Sequence, residues 1–261
     1  MEMNDYSKED IIQALIHVGI TENDSIFIHS NIGFFGRLKD GTDKNSFYQI
    51  FKEAIFNVIG EGGTLVVPVF TYSYCWNKIF NKEETPGICG IFSEMIRLDS
   101  ESLRSDDANF SIATIGKHAK YFTQNSPENS FATDSFWGRF LKCDGKFCNF
   151  NFDSGSTFIH YVERLLHVPY RYDKKFTGRS VCDEKETEGA FYHFVYDLEK
   201  PENSPYFEQF DRWVKEMGIA RTADMGKGQI VAISARDTLE VIKQEIQKDP
   251  AFLIMGSRID Q

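Results

Sequence analysis

The sequence predicts an α/β (α+β) fold: a mixed central sheet with helices on both faces and a smaller antiparallel part at the C-terminal end. An amphipathic helix pattern at 45–59 is followed by a short, wholly apolar strand at 64–68, an order typical of α/β proteins. The later segments 189–196 and 229–234 alternate between apolar and polar residues, as antiparallel strands do. At 261 residues and 41% hydrophobic content, the chain is long enough to bury a substantial core.

The first elements have clear start and stop signals. Ser7 and Asp10 have the spacing of a capping box, and the helix that follows ends at Gly19. The segment 24–30 is rich in β-branched and apolar residues and predicts a buried strand. This strand leads into a glycine-containing loop at 31–36, and loops after strands often carry function in α/β folds.

The remaining elements follow from hydrophobic periodicity and from glycine and proline positions. Further helices are predicted at 91–98, 117–122, 157–168, 211–218 and 235–249. Further strands are predicted at 112–116 and 147–152, and loops at 71–90 and 124–138. We expect residues 1–176 to form the catalytic α/β region and residues 177–261 to complete the same globule with antiparallel strands and helices.

Charge and composition exclude several classes of protein. The net charge of -10 and a sequence pI of about 5.1 argue against nucleic-acid and anionic-membrane partners, which require a basic surface. The start of the chain lacks a basic leader followed by an apolar run, so we expect a cytoplasmic protein. The five cysteines are an odd number and widely scattered, which favours reduced thiols over a disulfide framework.

The stretch 153–172 contains the main candidate for catalysis. Ser154, Ser156 and Thr157 are N-cap candidates for a short helix, whose apolar pattern ends before Pro169. His160 and Glu163 lie three residues apart on one face of that helix, so the carboxylate can orient the imidazole as a general base.

Several segments together resemble one known family. They contain Phe27-Ile-His29-Ser30, Gly62-Gly-Thr-Leu-Val-Val-Pro68 with Thr71 after it, Arg104-Ser105 with Ser111 and Gly116, and Thr157-Phe-Ile-His160-Tyr-Val-Glu163. These motifs occur in the same order in the aminoglycoside 3-N-acetyltransferase-like family of coenzyme A-dependent N-acyltransferases, and they span most of residues 10–175.

The resemblance implies that acyl-coenzyme A is the co-substrate, with no metal, and that His160 is the base, supported by Glu163. A base fits N-acyl transfer because an ammonium has no lone pair and must lose a proton before or during attack on the thioester. The residues implied to bind the coenzyme are His29, Ser30, Asn31, Gly36, Thr71, Arg104, Ser105 and Ser111.

One departure from the family pattern bears on the substrate. The family commonly has a His-Pro pair two residues after the Arg-Ser motif, where this chain has Asp107-Ala108. We therefore expect the branch of the family that acts on nucleotide-linked deoxyamino sugars, with an aminoglycoside as the alternative substrate. The aromatic residues expected to contact the nucleotide sugar are Tyr72, Tyr74, Trp76 and Tyr172. A homo-oligomer is left open.

Three other interpretations remain. His160, Glu163 and His167 have the spacing of one helical face, and could bind zinc or iron in a metal-dependent hydrolase. Cys148 or Cys182 could act as a nucleophile with His160 in a ping-pong acyl transfer. A ligand-binding domain that has kept the fold without turnover is the non-enzyme alternative.

Overall fold

The computed structural model describes residues 5–256. Residues 1–4, on which the expectation about the start of the chain partly rests, lie outside the described residues. The described α-helices are α1 (Lys8–His17), α2 (Lys44–Ile59), α3 (Ile91–Arg97), α4 (Ala119–Thr123), α5 (Phe136–Lys142), α6 (Phe158–Leu165), α7 (Glu208–Glu216) and α8 (Ala235–Lys248). The described strands are β1 (Ser25–Phe27), β2 (Thr64–Pro68), β3 (Phe80–Asn81), β4 (Leu103–Arg104), β5 (Ile112–Gly116), β6 (Lys146–Phe150), β7 (Arg171–Cys182), β8 (Lys185–Tyr196), β9 (Arg221–Met225) and β10 (Gly228–Ser234).

A seven-stranded mixed sheet has the order β4-β5-β2-β1-β6-β10-β9. The central strand β1 pairs in parallel with β2 and β6, while the pairs towards both edges are antiparallel. The smaller sheet has the order β3-β7-β8 and is dominated by the long antiparallel β7–β8 hairpin. The structure thus confirms the predicted mixed sheet and the antiparallel C-terminal strands.

Apolar side chains cover both faces of the large sheet. In β2, Leu65 and Val67 belong to the core beneath α1, α2 and α3, whereas Val66 belongs to the core beneath α5, α6 and α8. In β1, Ile26 and Phe27 divide between the same two cores. Successive side chains of a strand point to opposite faces of the sheet, so a strand covered on both faces is wholly apolar. The two cores confirm the predicted helices on both faces of the sheet.

The division between 176 and 177 remains a prediction. Position 176 lies within β7, which pairs along its whole length with β8. Strand β10 pairs with β6 in the large sheet, so the C-terminal segment contributes strands to the same sheet as the first.

Several elements were missing from the sequence interpretation. Strand β7 was not predicted because Asp173, Lys174 and Lys175 make it look like a polar loop, and these side chains are exposed in the structure. Helix α5 begins within the predicted loop 124–138, and strand β9 was not predicted either. At each of these positions, contacts within the folded protein override a weak local sequence pattern.

The start of helix α6 also differs from the sequence prediction. It begins after Thr157, but no side-chain hydrogen bond caps it, so the hydroxyl caps expected from Ser154, Ser156 and Thr157 are absent. The backbone N–H of Ser154 instead donates to Asp211 Oδ1 on α7 at 2.7 Å.

No helix between residues 5 and 256 is both long enough and apolar enough to cross a membrane.

Candidate active site

Helix α6 places His160 and Glu163 next to each other, as their spacing predicted. His160 Nδ1 lies 3.2 Å from Glu163 Oε2. The side chain of His160 is 22% exposed, whereas that of Glu163 is fully buried. The strand β6 and the loop after it deliver this helix to the carboxyl end of the parallel part of the sheet. Active sites of open α/β sheets lie at that edge.

The buried Glu163 carboxylate has two partners from the hairpin. Arg171 Nη1, on β7, donates to Glu163 Oε2. Tyr196 OH, on β8, donates to Oε1 at 3.3 Å. Arg171 Nη1 also lies 2.6 Å from His160 Nδ1, so each of the three groups, the imidazole, the carboxylate and the guanidinium, contacts the other two.

The surroundings keep the imidazole neutral. Burial and the positive charge of Arg171 lower the pKa of His160 below its ordinary value of 6.5, and the Glu163 carboxylate opposes the shift. When Nδ1–H donates to Glu163, the lone pair is on Nε2. That tautomer is the one a general base requires.

His160 opens onto a cavity of about 700 Å³. Aromatic rings form much of its wall, and ionisable groups lie at several positions. The lining residues are Tyr72, Cys75, Phe110, Phe131, His160, Arg171, Tyr172, Lys174, Phe176, His193, Phe194, Val195, Tyr196, Asp197, Leu198 and Glu199. A concave, largely apolar pocket with a few convergent polar groups is the usual form of a small-molecule site.

The structure brings only some of the four predicted substrate aromatics to this cavity. Tyr72 and Tyr172 line it. Tyr74 is 3% exposed, and its hydroxyl lies 2.7 Å from Ser180 Oγ beneath the hairpin, so it serves packing. Trp76 is 49% exposed and is not among the residues lining the cavity.

The predicted coenzyme residues that follow β1 form one group. His29 Nε2 and Ser30 Oγ are buried, and neither has a hydrogen-bond partner among the described residues. Asn31 is held through its backbone, whose N–H donates to Phe150 O at 2.9 Å. Gly36 adopts φ +89°, a conformation that favours glycine, so the loop turns sharply there. The two orphaned polar atoms are available to a ligand.

The second group of predicted coenzyme residues forms hydrogen bonds within the chain. Arg104 is 8% exposed, and it donates to the carbonyls of Lys82 and Thr85 at 2.9 and 2.6 Å and to Ser111 Oγ. Ser111 Oγ in turn donates to the carbonyl of Val69 at 2.8 Å. These contacts join the long loop after β2 to β4 and β5.

Thr71 and Ser105, from the same group, also bond to neighbouring backbone. Thr71 Oγ1 donates to the carbonyl of Ala108 at 2.6 Å, and Ser105 Oγ accepts from the N–H of Ile112 at 3.0 Å. Among the described residues, none of the eight predicted coenzyme residues lines the cavity beside His160. Their role towards coenzyme A therefore stays a prediction.

A cysteine–histidine pair also lies in the cavity wall. Cys75 Sγ is 3.8 Å from His193 Nδ1, and His193 Nε2 is 2.9 Å from Asn109 Nδ2. Asn109 Oδ1 accepts from the backbone N–H groups of Tyr74 and Cys75, which fixes the amide so that Nδ2 donates to Nε2. His193 therefore carries its proton on Nδ1 and cannot take one from Cys75.

The structure also bears on the metal interpretation. Helix α6 ends at Leu165, and His167 adopts φ +52° beyond it, so His167 does not continue the face of His160 and Glu163. Within the described part of the chain, the one group of three potential ligands close enough to share a metal ion is exposed or half-buried and consists of Glu83, Cys182 and Asp183.

The two cysteines considered as nucleophiles lie in different settings. Cys148 is fully buried in the core of β6, and burial raises the pKa of its thiol far above the ordinary range. Cys182 is exposed at the end of β7, where burial and the nearby Glu83 carboxylate raise its thiol pKa. Neither lies in the cavity of His160.

Several residues of the site were not predicted from the sequence. Arg171 was not connected with the base, and Tyr196 and His193 were predicted only as parts of a strand. Arg171 lies eight positions after Glu163, beyond the helix end and Pro169, where no helical spacing connects the two. The one available signal was Glu163, because a carboxylate that is buried needs a cation close to it.

A neutral imidazole, held by a buried carboxylate and facing an open cavity, is the arrangement found in general-base enzymes. The family model described as aminoglycoside 3-N-acetyltransferase matches residues 27–247. The chain is 23% identical over 256 residues to aminoglycoside N(3)-acetyltransferase IV of Salmonella sp, covering 96% of this chain and 91% of that protein.

Solved structures show the same fold. AAC-IIIb in a binary complex with CoASH has a TM-score of 0.78 at 18% identity, covering 93% of this chain and 97% of that chain. Sisomicin-bound AAC-VIa has a TM-score of 0.80 at 18% identity, covering 93% and 98%.

The chain therefore belongs to the aminoglycoside 3-N-acetyltransferase family. It is a coenzyme A-dependent N-acyltransferase, with acyl-coenzyme A as its co-substrate. The predicted family and reaction class are confirmed.

Proposed function

We propose that this protein transfers an acetyl group from acetyl-coenzyme A to an amino group of an aminoglycoside, with His160 as the general base. The observation that carries the proposal is the neutral His160 imidazole, held by Glu163 at the wall of a cavity large enough for a sugar. The expectation of a nucleotide-sugar branch has less support than the aminoglycoside alternative, since the family model and the curated relative both bear the aminoglycoside description.

The reaction needs one base and no covalent enzyme intermediate. The amine nitrogen attacks the thioester carbonyl carbon while His160 Nε2 accepts the amine proton. The tetrahedral intermediate collapses, the C–S bond breaks, and the coenzyme leaves as the thiol after proton return from the imidazolium. The Glu163 carboxylate stabilises the imidazolium between these two proton transfers.

The charges in the cavity favour a cationic acceptor. Asp197 and Glu199 line it; the opposing charges are Lys174, also in the wall, and Lys200, which pairs with Asp197 at 3.5 Å. Arg171 is paired with Glu163, so these two charges cancel locally. Carboxylates at a cavity wall attract the ammonium groups of a polyamine sugar. The negative charge of the whole chain, -10, acts in the same direction.

The coenzyme is proposed to approach along the loop after β1. His29 Nε2 and Ser30 Oγ are buried polar atoms without partners in the described chain, and a polar group of the pantetheine arm would satisfy them. Five other predicted residues shape this path, because they fix the neighbouring backbone. They are Asn31, Gly36, Thr71, Ser105 and Ser111. Arg104 is the least available member, because its donors are already bound.

One observation favours the nucleotide-linked amino sugar as a second candidate. Tyr72 and Tyr172 line the cavity together with Lys174, an arrangement that suits a flat base and an anionic phosphate. Tyr74 and Trp76 do not add to it, since neither lines the cavity.

A thiol-release assay with acetyl-coenzyme A tests the proposal. Wild-type protein is given a 3-amino aminoglycoside and a nucleotide-linked amino sugar in parallel, each with and without a chelator. Release with the aminoglycoside, unchanged by the chelator, is the expected result. Release with the nucleotide sugar only would replace the first candidate with the second, and release abolished by the chelator would restore the metal interpretation.

A further inference from the structure

Arg171 has no role in the reaction as written above, yet it lies closer to the base than any other cation of the described chain. Its Nη1 contacts both Glu163 Oε2 and His160 Nδ1. Its side chain is only 4% exposed, so it is poorly placed to meet a substrate in the open part of the cavity. The contacts instead connect it with the base and its orienting carboxylate.

The hairpin fixes the guanidinium in this place. Arg171 opens β7 directly opposite Tyr196 of β8. The guanidinium carbon lies 4.0 Å from the centre of the Tyr196 ring and 5.4 Å from that of Phe194. Cation–π contacts of this kind stabilise a buried arginine and limit its rotamers. Tyr196 also donates to Glu163, so one residue of β8 holds both members of the ion pair.

A carboxylate in the protein interior needs such partners. Glu163 is fully buried, and Arg171 and Tyr196 supply the countercharge and the hydrogen bonds that hold its two oxygens. Without Arg171 the carboxylate would be free to turn away from His160 Nδ1, and the base would lose its orientation. In the tautomer that carries its proton on Nδ1, His160 donates to Glu163 Oε2, the oxygen that also accepts from Arg171 Nη1.

Arg171 also acts on the imidazole directly. A lone anionic Glu163 would favour the imidazolium, which is the inactive form of a base. The positive charge of Arg171 cancels this effect and acts with burial to keep His160 neutral. The other ionisable groups close to the base are Tyr196 and Tyr170, and burial raises the pKa of both hydroxyls above the physiological range.

We propose that Arg171 is the positioning residue of this active site: its ion pair with Glu163 holds the carboxylate against His160 Nδ1 and so orients the imidazole. The inference rests on the proposed function, in which His160 is the base. Arg171 acts through Glu163 and His160 and takes no part in bond making or breaking.

Two substitutions separate this role from a purely structural one. Arg171→Met removes the charge and keeps much of the stem, and Arg171→Lys keeps the charge without the planar fork. The matched control is Arg164→Met, because Arg164 lies on the same helix as the base but pairs with Asp173 at 2.9 Å, away from Glu163. Thermal unfolding identifies a variant that fails to fold.

The first readout is the pH profile of kcat/KM. The positive charge of Arg171 lowers the pKa of His160, so its loss raises that pKa and moves the acid limb towards higher pH. We expect a shift of about one pH unit for Arg171→Met, with about a tenfold loss below the new limb. Arg171→Lys is expected to restore most of the profile, and Arg164→Met to leave it unchanged. An equal loss at all pH values would overturn the proposal.

The second readout does not depend on turnover. In protein labelled at its six histidines, the signal of His160 is the one that His160→Gln removes. The midpoint of the imidazole titration is expected to rise by about one pH unit in Arg171→Met relative to wild type. An unchanged midpoint would overturn the inference even if the enzyme is active. A raised midpoint in protein without acetyl transfer would leave the inference standing and overturn the proposed function.

Discussion

At the scale of single residues, the site contains two histidines whose partners give them opposite tautomers. His160 has an ionised carboxylate at Nδ1, whereas His193 receives an amide N–H at Nε2. With its proton on Nδ1, the first ring has its lone pair on Nε2. The second keeps its proton on Nδ1, pointing at Cys75. Hydrogen-bond partners, rather than residue type, therefore decide which histidine can act as a base.

The same geometry predicts that Cys75 is not a nucleophile. Burial, with the Asp107 carboxylate nearby, raises the pKa of its thiol to about 11, so it stays protonated at neutral pH. We expect Cys75→Ala to release thiol from acetyl-coenzyme A within about threefold of the wild-type rate, because no step passes through the sulfur. Mass spectrometry of wild-type protein with acetyl-coenzyme A alone should show no acetyl adduct on Cys75. An adduct, together with a loss of about a thousandfold in the variant, would contradict direct transfer.

Asp107, which stands at the position of the family's His-Pro pair, is also explained by its contacts. Its Oδ1 accepts from the backbone N–H groups of Asn109 and Phe110, and its Oδ2 accepts from Ser130 Oγ at 2.5 Å. The carboxylate thus orders the loop that carries Asn109, and Asn109 fixes His193. The departure from the family pattern has a local structural reason in this chain.

At the scale of elements, Arg104 holds together the long loop after β2. Its buried guanidinium donates to the carbonyls of Lys82 and Thr85 and to the hydroxyl of Ser111. Burial lowers the pKa of its guanidinium to about 10, which still leaves it charged at neutral pH. A charged group buried in this way is expensive to remove, because its acceptors are left unpaired.

We therefore expect Arg104→Met to lower the free energy of unfolding by about 3 kcal/mol. The KM for acetyl-coenzyme A should change less than about threefold if the arginine serves only the loop. Urea denaturation and initial rates measure the two quantities. Lys82→Met is the control, since the exposed Lys82–Asp106 pair should contribute little. A tenfold rise in KM with unchanged stability would support the predicted contact of Arg104 with coenzyme A instead.

Helices and strands with strong local patterns were predictable from sequence. The strand at 64–68 and the helix Lys44–Ile59 occur as expected, because apolar period and capping agree with the tertiary fold. Strand β7 was not predictable in the same way. Its exposed lysines resemble a loop, and only pairing with β8 makes it a strand.

The candidate site shows the same difference. The proximity of His160 and Glu163 was predictable because both lie on one helix at a fixed spacing. Arg171 and Tyr196 reach Glu163 from the hairpin, and the register that aligns them with each other is set by pairing over the whole of β7 and β8. Long-range register of this kind is not encoded in any local period.

At the scale of the whole molecule, buried neutral histidines connect stability to pH. His193 is 3% exposed, and burial lowers its pKa to about 4 from an ordinary value of 6.5. Between these two values the unfolded chain binds a proton at this position and the folded protein does not. Stability contributed by the neutral ring is therefore fully present above pH 6.5 and declines as the pH falls towards 4.

We expect the free energy of unfolding to fall by about 3 kcal/mol from this group over that interval. His193→Gln removes the titrating ring and should give a shallower decline. His17→Gln, which replaces an exposed imidazole, should leave the slope as it is in the wild type. Urea denaturation at several pH values measures the slope. Equal slopes for wild type and His193→Gln would contradict the account.

The role of His160 as the base of an acetyl transfer can be measured through the kcat of His160→Gln in the thiol-release assay with an aminoglycoside. His167→Asn is the matched control, because His167 is an exposed histidine close by and asparagine tolerates its positive φ. We expect a loss of about 10²- to 10⁴-fold for His160→Gln, with unchanged thermal stability and acetyl-coenzyme A binding, and wild-type turnover for the control. Turnover near the wild-type rate in His160→Gln would show that His160 is not the base.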